Sequence, residues 1–209
     1  MKPIILDLCG GTGSWSLPYK DAGFDVRLVT LPDNDVRTYQ IPDEPIYGIL
    51  AAPPCTMFSD ARTNAKTPRD LRGGFEVVHA CLNLIWEAQY RTRSDQQKYP
   101  PLRFWALENP YRGRLKWFLG NPPLVFSPWE FGDMYKKETA VWGMFNKPVK
   151  THINIGAEDV IRNLPKFDYM NSKDIAPEWF GKLDRQARRA ITPKGFAQAF
   201  FKANSETKL

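Results

Sequence analysis

Apolar residues run almost without interruption through several short segments of the chain, and glycine- or proline-containing segments separate them. Such runs are typical of strands that are buried on both faces of a parallel sheet. They predict strands at residues 2–8, 24–31, 46–52 and 103–107, and a further strand at residues 137–142.

Helical patterns alternate with these strands. Apolar residues at spacings of three and four predict a helix over residues 74–90 with one apolar face. Shorter helices are expected at residues 14–22 and 177–190, and Thr192 is expected to begin the last helix. The alternation predicts an α/β fold in one domain, residues 1–209, with a mostly parallel sheet and helices on both faces.

Composition limits the class of protein. The hydrophobic content of 43% is enough for a core, and no run approaches the ~18 apolar residues of a membrane span. Three scattered cysteines suit a reducing compartment, so we expect a cytoplasmic protein, in the host cytoplasm if a phage encodes it. Two histidines and no close cysteine pair predict no metal site. The net charge of +6 favours a polyanionic partner.

Three segments that can carry chemistry follow predicted strands. The glycine turn, residues 7–13, follows the first strand with the sequence Asp-Leu-Cys-Gly-Gly-Thr-Gly. Cys55 follows two prolines after the third strand, and Glu108 follows the fourth. Sheets of this kind bind ligands beyond the carboxyl ends of their strands, so one cleft is expected to hold all three segments.

Each of these segments also has a purely structural interpretation. Glycine turns serve packing, a free cysteine is often a small core side chain, and a carboxylate is often a surface group. Their convergence favours Cys55 as a nucleophile with a lowered thiol pKa and Glu108 as a carboxyl whose pKa burial raises. Cys9 and Cys81 are expected to be structural. The cations expected to lower the thiol pKa are Arg62, Lys66, Arg69 and Arg72.

Taken together, the segments resemble the cytosine-5 DNA methyltransferases, in the order that this family uses. Residues 7–15 are similar to its Asp-Leu-Phe-x-Gly-x-Gly-Gly motif, and residues 54–59 to its Pro-Cys-Gln-x-Phe-Ser motif. Residues 108–110 are similar to Glu-Asn-Val, residues 34–36 to Gly-Asp-Ile, and residues 192–199 to the final helix motif. The resemblance covers most of the chain and is closest to the short, phage-type members.

The resemblance implies a Rossmann-like S-adenosylmethionine-dependent methyltransferase that transfers a methyl group to carbon 5 of a flipped-out cytosine in DNA. Cys55 would add to carbon 6, Glu108 would stabilise the ring at N3, and Lys137 would stand in for a catalytic arginine. The implied cofactor contacts are Asp7, Gly11, Thr12, Gly13, Asp35, Pro53 and Thr192. The implied nucleic-acid contacts are Ser59, Arg62, Lys66, Arg69, Arg72, Arg185 and Arg189.

Three features depart from the family pattern. The Gln-x-Arg-x-Arg motif maps onto residues 135–139 and loses both arginines. Lys137 stands in for one of them, although lysine for arginine is not a neutral change at a forked contact, and Thr139 supplies no guanidinium. Thr30 and Leu31 stand where an acidic residue usually holds the cofactor ribose, with Asp33 as a substitute. Residues 143–191 are all that remains for substrate contacts, where the family carries a long recognition domain.

These departures leave other interpretations open. A methyltransferase of RNA or of a free pyrimidine nucleotide needs no large recognition domain. A degenerate fold that binds DNA or a partner protein without catalysis would account for the lost arginines. An exocyclic-amine methyltransferase has a similar Pro-Pro-Cys segment but would not need Glu108. The basic side chains also suit a solvated face, and the aromatic residues of 117–131 are expected in the core rather than stacked on a base.

Overall fold

Six strands form a single mixed sheet. The computed structural model describes residues 2–60, 62, 65–152, 158–166, 181–183 and 185–205. The strands are β1 (Ile4–Leu8), β2 (Asp25–Val29), β3 (Ile46–Ala51), β4 (Phe104–Pro110), β5 (Leu124–Phe126) and β6 (Thr139–Met144). Their order is β2-β1-β3-β4-β6-β5. The first four strands in this order run parallel to one another, and β6 is antiparallel to both of its neighbours, β4 and β5. The predicted mostly parallel α/β sheet is confirmed.

Helices cover both faces of this sheet, as predicted. They are α1 (Leu17–Asp21), α2 (Leu71–Ser94), α3 (Lys116–Leu119), α4 (Glu158–Asn163), α5 (Arg185–Ala190) and α6 (Lys194–Ser205). Because successive strand side chains point to opposite faces, the strands supply two separate cores. One core packs Ile49 and Leu107 with residues of α2. The other packs Leu50 and Phe104 with residues of α1 and α6.

The second core is built largely from aromatic rings. Phe126 stacks on Phe196 of α6 with ring centroids 3.9 Å apart, and Phe131 packs edge-on against the same ring. The predicted core packing of residues 117–131 is therefore right for Phe126 and Phe131. It is wrong for Trp117 and Phe118, which are exposed.

Two elements extend beyond their predicted ends. Strand β4 continues past Leu107 because Glu108 pairs with Val141 of β6, a partner strand that the local sequence pattern does not reveal. Helix α2 begins earlier because the Asp70 side chain caps it by accepting a hydrogen bond from a first-turn amide. It also continues to Ser94, beyond the predicted end at residue 90.

The helix predicted at residues 177–190 is only partly within the described residues. Residues 177–180 and 184 lie outside them, residues 181–183 form a turn, and α5 accounts for the rest. Helix α1 is shorter than predicted, because residues 14–16 belong to the preceding turn.

Candidate active site

The carboxyl ends of β1 and β3 lie side by side at the point where the strand order reverses. From β1 the chain moves to β2 on one side, and it then returns to β3 on the other side of β1. Sheets of this type bind ligands at such a switch point. The glycine turn leaves β1 there and the Cys55 loop, residues 52–59, leaves β3 there, so the two predicted segments border one crevice.

The glycine turn depends on backbone conformations that most residues avoid. Gly11 and Gly13 have φ angles of +56° and +70°, and Cys9 adopts +57°. The Cys9 amide donates a hydrogen bond to the Val29 carbonyl at 2.7 Å, which ties the turn to β2. At Gly10 any side chain is excluded, because a Cβ atom would lie 2.3 Å from Oδ1 of Asp7.

Asp7 is completely buried beneath this turn. Ser16 donates a hydrogen bond to Oδ2 of Asp7, while Oδ1 and the Thr12 hydroxyl are buried without a hydrogen-bond partner among the described residues. Burial raises the pKa of Asp7 to about 6, and the Ser16 hydrogen bond only partly offsets this effect. A buried carboxyl with a shifted pKa beside a crevice is a candidate functional position.

The raised pKa of Asp7 predicts how Asp7→Asn changes stability. A carboxyl whose pKa is higher in the folded protein favours folding most at low pH, and this contribution is lost as pH rises through about 6. The change in the free energy of unfolding caused by Asp7→Asn should therefore be more favourable at pH 7 than at pH 4, by up to about 3 kcal/mol. Urea unfolding at the two pH values measures this difference.

Asp21, an exposed carboxylate, provides the control for that comparison. Asp21→Asn should change the free energy of unfolding by less than about 0.5 kcal/mol at either pH. An equal effect of Asp7→Asn at pH 4 and pH 7 would contradict the assigned cost of burying this carboxylate.

The last helix returns to the glycine turn, as its similarity to the family's final motif implies. The amide of Thr192 donates a hydrogen bond to the Ser14 hydroxyl at 2.8 Å. Thr192 itself is buried, and the regular helix α6 begins two residues later, at Lys194. The segment just before α6 is therefore hydrogen-bonded to Ser14, the residue that follows the glycine turn.

The Cys55 loop is held by its own backbone and by the neighbouring strand. The amides of Phe58 and Ser59 donate to the Cys55 carbonyl at 3.0 and 2.8 Å, which closes one tight turn. Asn109 of β4 donates through Nδ2 to the Pro53 carbonyl at 3.0 Å. Pro53 and Ser59 are buried, whereas Cys55 is half-buried at the crevice.

Arg69 braces the same loop. Its guanidinium donates to the carbonyl of Met57 at 2.8 Å and to that of Ser59 at 3.0 Å. We expect Arg69→Gln to lower the free energy of unfolding by about 2 kcal/mol, because both hydrogen bonds come from a charged donor. Arg72→Gln is the matched control: its side chain is 94% exposed, and its loss should cost less than about 0.5 kcal/mol. Equal losses in urea unfolding would contradict the bracing role.

The thiol of Cys55 lies within a cluster of charged groups. Burial raises the pKa of the Cys55 thiol, the Glu108 carboxylate raises it further, and the Lys137 and Arg189 cations lower it by less. The predicted lowering of this pKa is therefore wrong. The pKa is raised mainly because the loop is buried. The cations that act on the thiol are Lys137 and Arg189, and neither belongs to residues 62–72.

Glu108 and Lys137 belong to the same cluster. Burial raises the pKa of the Glu108 carboxyl, as predicted, and the Lys137 ammonium lowers it. Lys137 is positioned by two hydrogen bonds from Nζ, to the carbonyls of Arg189 at 2.7 Å and Ile191 at 3.3 Å. The fold thus brings all three predicted catalytic residues together and adds Arg189, which the sequence suggested only as a nucleic-acid contact.

Asp35 and Asp33, the remaining acids considered for the cofactor, lie in the segment after β2. The Asp35 carboxylate accepts hydrogen bonds from the Arg37 backbone and guanidinium, and Arg37 holds the pKa of Asp35 at about 2. Asp33 is exposed. The assignment of Asp35 to the adenine stays a prediction, and its carboxylate is already engaged within the protein.

The predicted nucleic-acid contacts differ in their surroundings. Arg62 donates to the Thr67 hydroxyl at 2.8 Å, Lys66 is exposed, and Arg72 lies 3.9 Å from Glu76. Ser59 is buried in the Cys55 loop, and the side chain of Arg185 is outside the described residues. The assignment of these residues to nucleic acid stays a prediction.

No helix in the described part of the chain is long and apolar enough to cross a membrane. Over the same residues, no group of three or more His, Cys, Asp or Glu side chains is arranged to hold a metal ion.

No protein-family model matches the chain, and no curated protein does. The function of the site is therefore argued from its own residues and geometry.

Proposed function

We propose that the chain is a Rossmann-like, S-adenosylmethionine-dependent methyltransferase that modifies carbon 5 of cytosine in DNA through a covalent bond from Cys55. One observation carries the proposal. A thiol, a carboxyl and an ammonium group, from Cys55, Glu108 and Lys137, interact electrostatically in one partly buried cluster beside the switch point of the sheet. Methylation at carbon 5 of a pyrimidine needs a nucleophile for carbon 6 and a proton donor for the ring, which Cys55 and Glu108 can supply.

The chemistry explains that need. Carbon 5 of cytosine is a weak nucleophile as long as the ring is aromatic. When the Cys55 thiolate forms a bond to carbon 6, the electron pair of the 5,6 double bond becomes available at carbon 5. Glu108 holds a proton at N3 and so prevents charge from building up on the ring. Carbon 5 would then take the methyl group from the sulfonium of the cofactor, which would leave as a neutral thioether. Loss of the carbon 5 proton to water would restore the double bond and expel the thiolate.

The electrostatics of the cluster suit these roles. Since burial raises the pKa of Glu108, the carboxyl keeps its proton to a higher pH than an exposed glutamate and can donate it to N3. The Cys55 thiol is also kept neutral by burial, and the Lys137 and Arg189 cations favour its thiolate form. The thiol form is therefore favoured, and the Lys137 and Arg189 cations are the described groups that oppose this preference.

The glycine turn fits S-adenosylmethionine, which supplies an electrophilic methyl group when bound. The positive φ angles at Gly11 and Gly13 let a ligand approach the backbone closely, and the Thr12 hydroxyl is buried without a partner among the described residues. We assign the turn, Thr12 and Thr192 to cofactor binding. Asp7 would act from below, by holding the turn in shape.

The proposal is tested with isotopically labelled S-adenosylmethionine and a panel of acceptors. Duplex DNA, single-stranded DNA, RNA and dCMP are compared, and the labelled base is identified after digestion. Label in 5-methylcytosine from DNA supports the proposal. Preferential labelling of RNA or dCMP would move the substrate to another class. Binding of DNA without any transfer and without cofactor binding would favour a non-catalytic protein.

A further inference from the structure

A second surface of the molecule lies directly against the Cys55 loop. Residues 111–119, called here the 111–119 segment, follow β4 and include α3. The Arg114 amide donates to the Phe58 carbonyl at 3.0 Å, and Gly113 forms an antiparallel bridge with Ser59. The segment is therefore fixed beside the proposed nucleophile, at the ligand-binding edge of the sheet.

The 111–119 segment combines cations with aromatic rings. Its sequence, Tyr-Arg-Gly-Arg-Leu-Lys-Trp-Phe-Leu, contains three cations and no acidic residue. The Arg114 guanidinium lies 5.2 Å from the centroid of the Trp117 ring, and the Lys116 ammonium lies 4.7 Å from that of Tyr111. Trp117 is 67% exposed and Phe118 is 51% exposed.

Packing accounts for only part of this arrangement. Phe118 contacts Phe75 with ring centroids 5.2 Å apart, which anchors α3 to α2. Trp117 has no ring-to-ring contact among the residues that the structure describes, and one of its faces is taken by Arg114. A largely exposed indole beside cations, at the edge of an active site, is typical of surfaces that stack on unpaired bases.

The charge of the surface complements a polynucleotide. Arg112 is bonded to Glu138, and Arg114 lies 3.9 Å from Asp60. Exposed ion pairs of this kind contribute little stability, so a phosphate can replace either carboxylate at small cost. Lys116 adds a third cation, over the Tyr111 ring.

We propose that the 111–119 segment binds the DNA strand around the target base, with Trp117 stacked on an unpaired base of single-stranded or locally opened DNA. Arg112 and Lys116 contact its phosphates. The identity of the substrate rests on the proposed function. Because bases in a duplex are already stacked on their neighbours, the open face of Trp117 favours an unpaired strand. A surface of this kind supplies DNA contacts that residues 143–191 are too few to provide.

The test compares Trp117→Ala with Trp86→Ala in binding of a labelled single-stranded oligonucleotide and of the corresponding duplex, measured by fluorescence anisotropy. Trp86 is a suitable control because it is 63% exposed and lies at the opposite edge of the sheet. It lines a cavity with Met144, and Met144 pairs with Trp105 near the start of β4. Trp117→Ala should weaken single-strand binding by about 5- to 100-fold and leave duplex binding unchanged. Trp86→Ala should change neither.

Three results would overturn the proposal: no single-strand binding by the unchanged protein, equal single-strand binding by Trp117→Ala, or an equal loss of single-strand and duplex binding in that variant. Thermal melting of both variants confirms that they are folded. Lys116→Gln should reduce the dependence of single-strand affinity on salt, by a slope of about 0.7, while Arg103→Gln at the opposite edge should not.

The test is independent of catalysis. If Trp117→Ala weakens binding but the unchanged protein transfers no methyl group, the proposed function fails and the surface stands. If transfer occurs and Trp117→Ala binds normally, the surface fails and the proposed function stands.

Discussion

Cys55→Ala is expected to lower the rate of methyl transfer by at least about 10⁴-fold, because removal of a covalent nucleophile eliminates the reaction path that depends on it. Without a bond to carbon 6, carbon 5 of cytosine keeps its aromatic electron density and does not react. The fold should tolerate the change, since the Cys55 loop is held by the Cys55 carbonyl and by Asn109 rather than by the thiol. The measurement is labelled methyl transfer to DNA under single-turnover conditions.

Cys81 provides the control for this loss. It is a core cysteine in α2, fully buried, with its sulfur 4.0 Å from that of Cys9. Cys81→Ala should reduce stability by leaving a small cavity but keep the transfer rate of folded protein within a few-fold. Transfer by Cys55→Ala at a rate close to that of Cys81→Ala would rule out Cys55 as the nucleophile.

Glu108→Gln is expected to lower the transfer rate by about 10²- to 10³-fold, because the amide keeps the shape of the carboxyl but cannot hand a proton to N3. Glu87→Gln is the matched control, since Glu87 is a glutamate of α2 whose carboxylate is bonded to Arg91 at the surface. It should leave the rate within a few-fold. Equal rates for the two variants would contradict the role of Glu108.

Glu108 and Lys137 together predict how the reactivity of the Cys55 thiol changes when either is replaced. The Glu108 carboxylate raises the pKa of the Cys55 thiol and the Lys137 cation lowers it. The pH midpoint for alkylation of Cys55 should therefore fall in Glu108→Gln and rise in Lys137→Gln. Iodoacetamide labelling followed by peptide mass spectrometry measures both midpoints without any methyl transfer. Midpoints that do not move in opposite directions would show that the three groups are not coupled.

Much of the site could be predicted from the sequence, because the ends of parallel strands converge. The glycine turn, Cys55 and Glu108 each follow an apolar run, and in a parallel sheet such positions meet at one edge. Glu108 proved to lie inside β4 rather than just after it. The antiparallel partner β6, which extends the strand, is specified by long-range pairing and not by a local pattern.

The charges around Cys55 could not be predicted in the same way. Lys137 reaches the carbonyl of Arg189 across 52 residues of sequence, and no local spacing indicates that contact. The sequence predicts that the basic residues after Cys55 lower the pKa of its thiol. Burial of the loop instead has the largest effect on this pKa, and it raises it. Sequence proximity to a cysteine therefore gave the wrong cations and the wrong direction of the shift.

The sequence also does not distinguish buried aromatic side chains from exposed ones. Phe126 and Trp117 are both large apolar side chains within one Pro- and aromatic-rich region, and composition alone assigns both to the core. Phe126 stacks on Phe196 of α6, whereas Trp117 lies on a helix of four residues at the surface. Only the docking of α6 against β5 separates the two, and that docking depends on residues far apart in the chain.

The covalent bond between Cys55 and carbon 6 of the base is the central claim, and it can be trapped. The protein is incubated with S-adenosylmethionine and an oligonucleotide that carries 5-fluorocytosine. Fluorine at carbon 5 cannot leave as a proton does, so the step that expels the thiolate is blocked. Peptide mass spectrometry should find the base attached to Cys55 in the unchanged protein and no adduct in Cys55→Ala. No adduct in the unchanged protein, or one on Cys9 or Cys81, would contradict the mechanism.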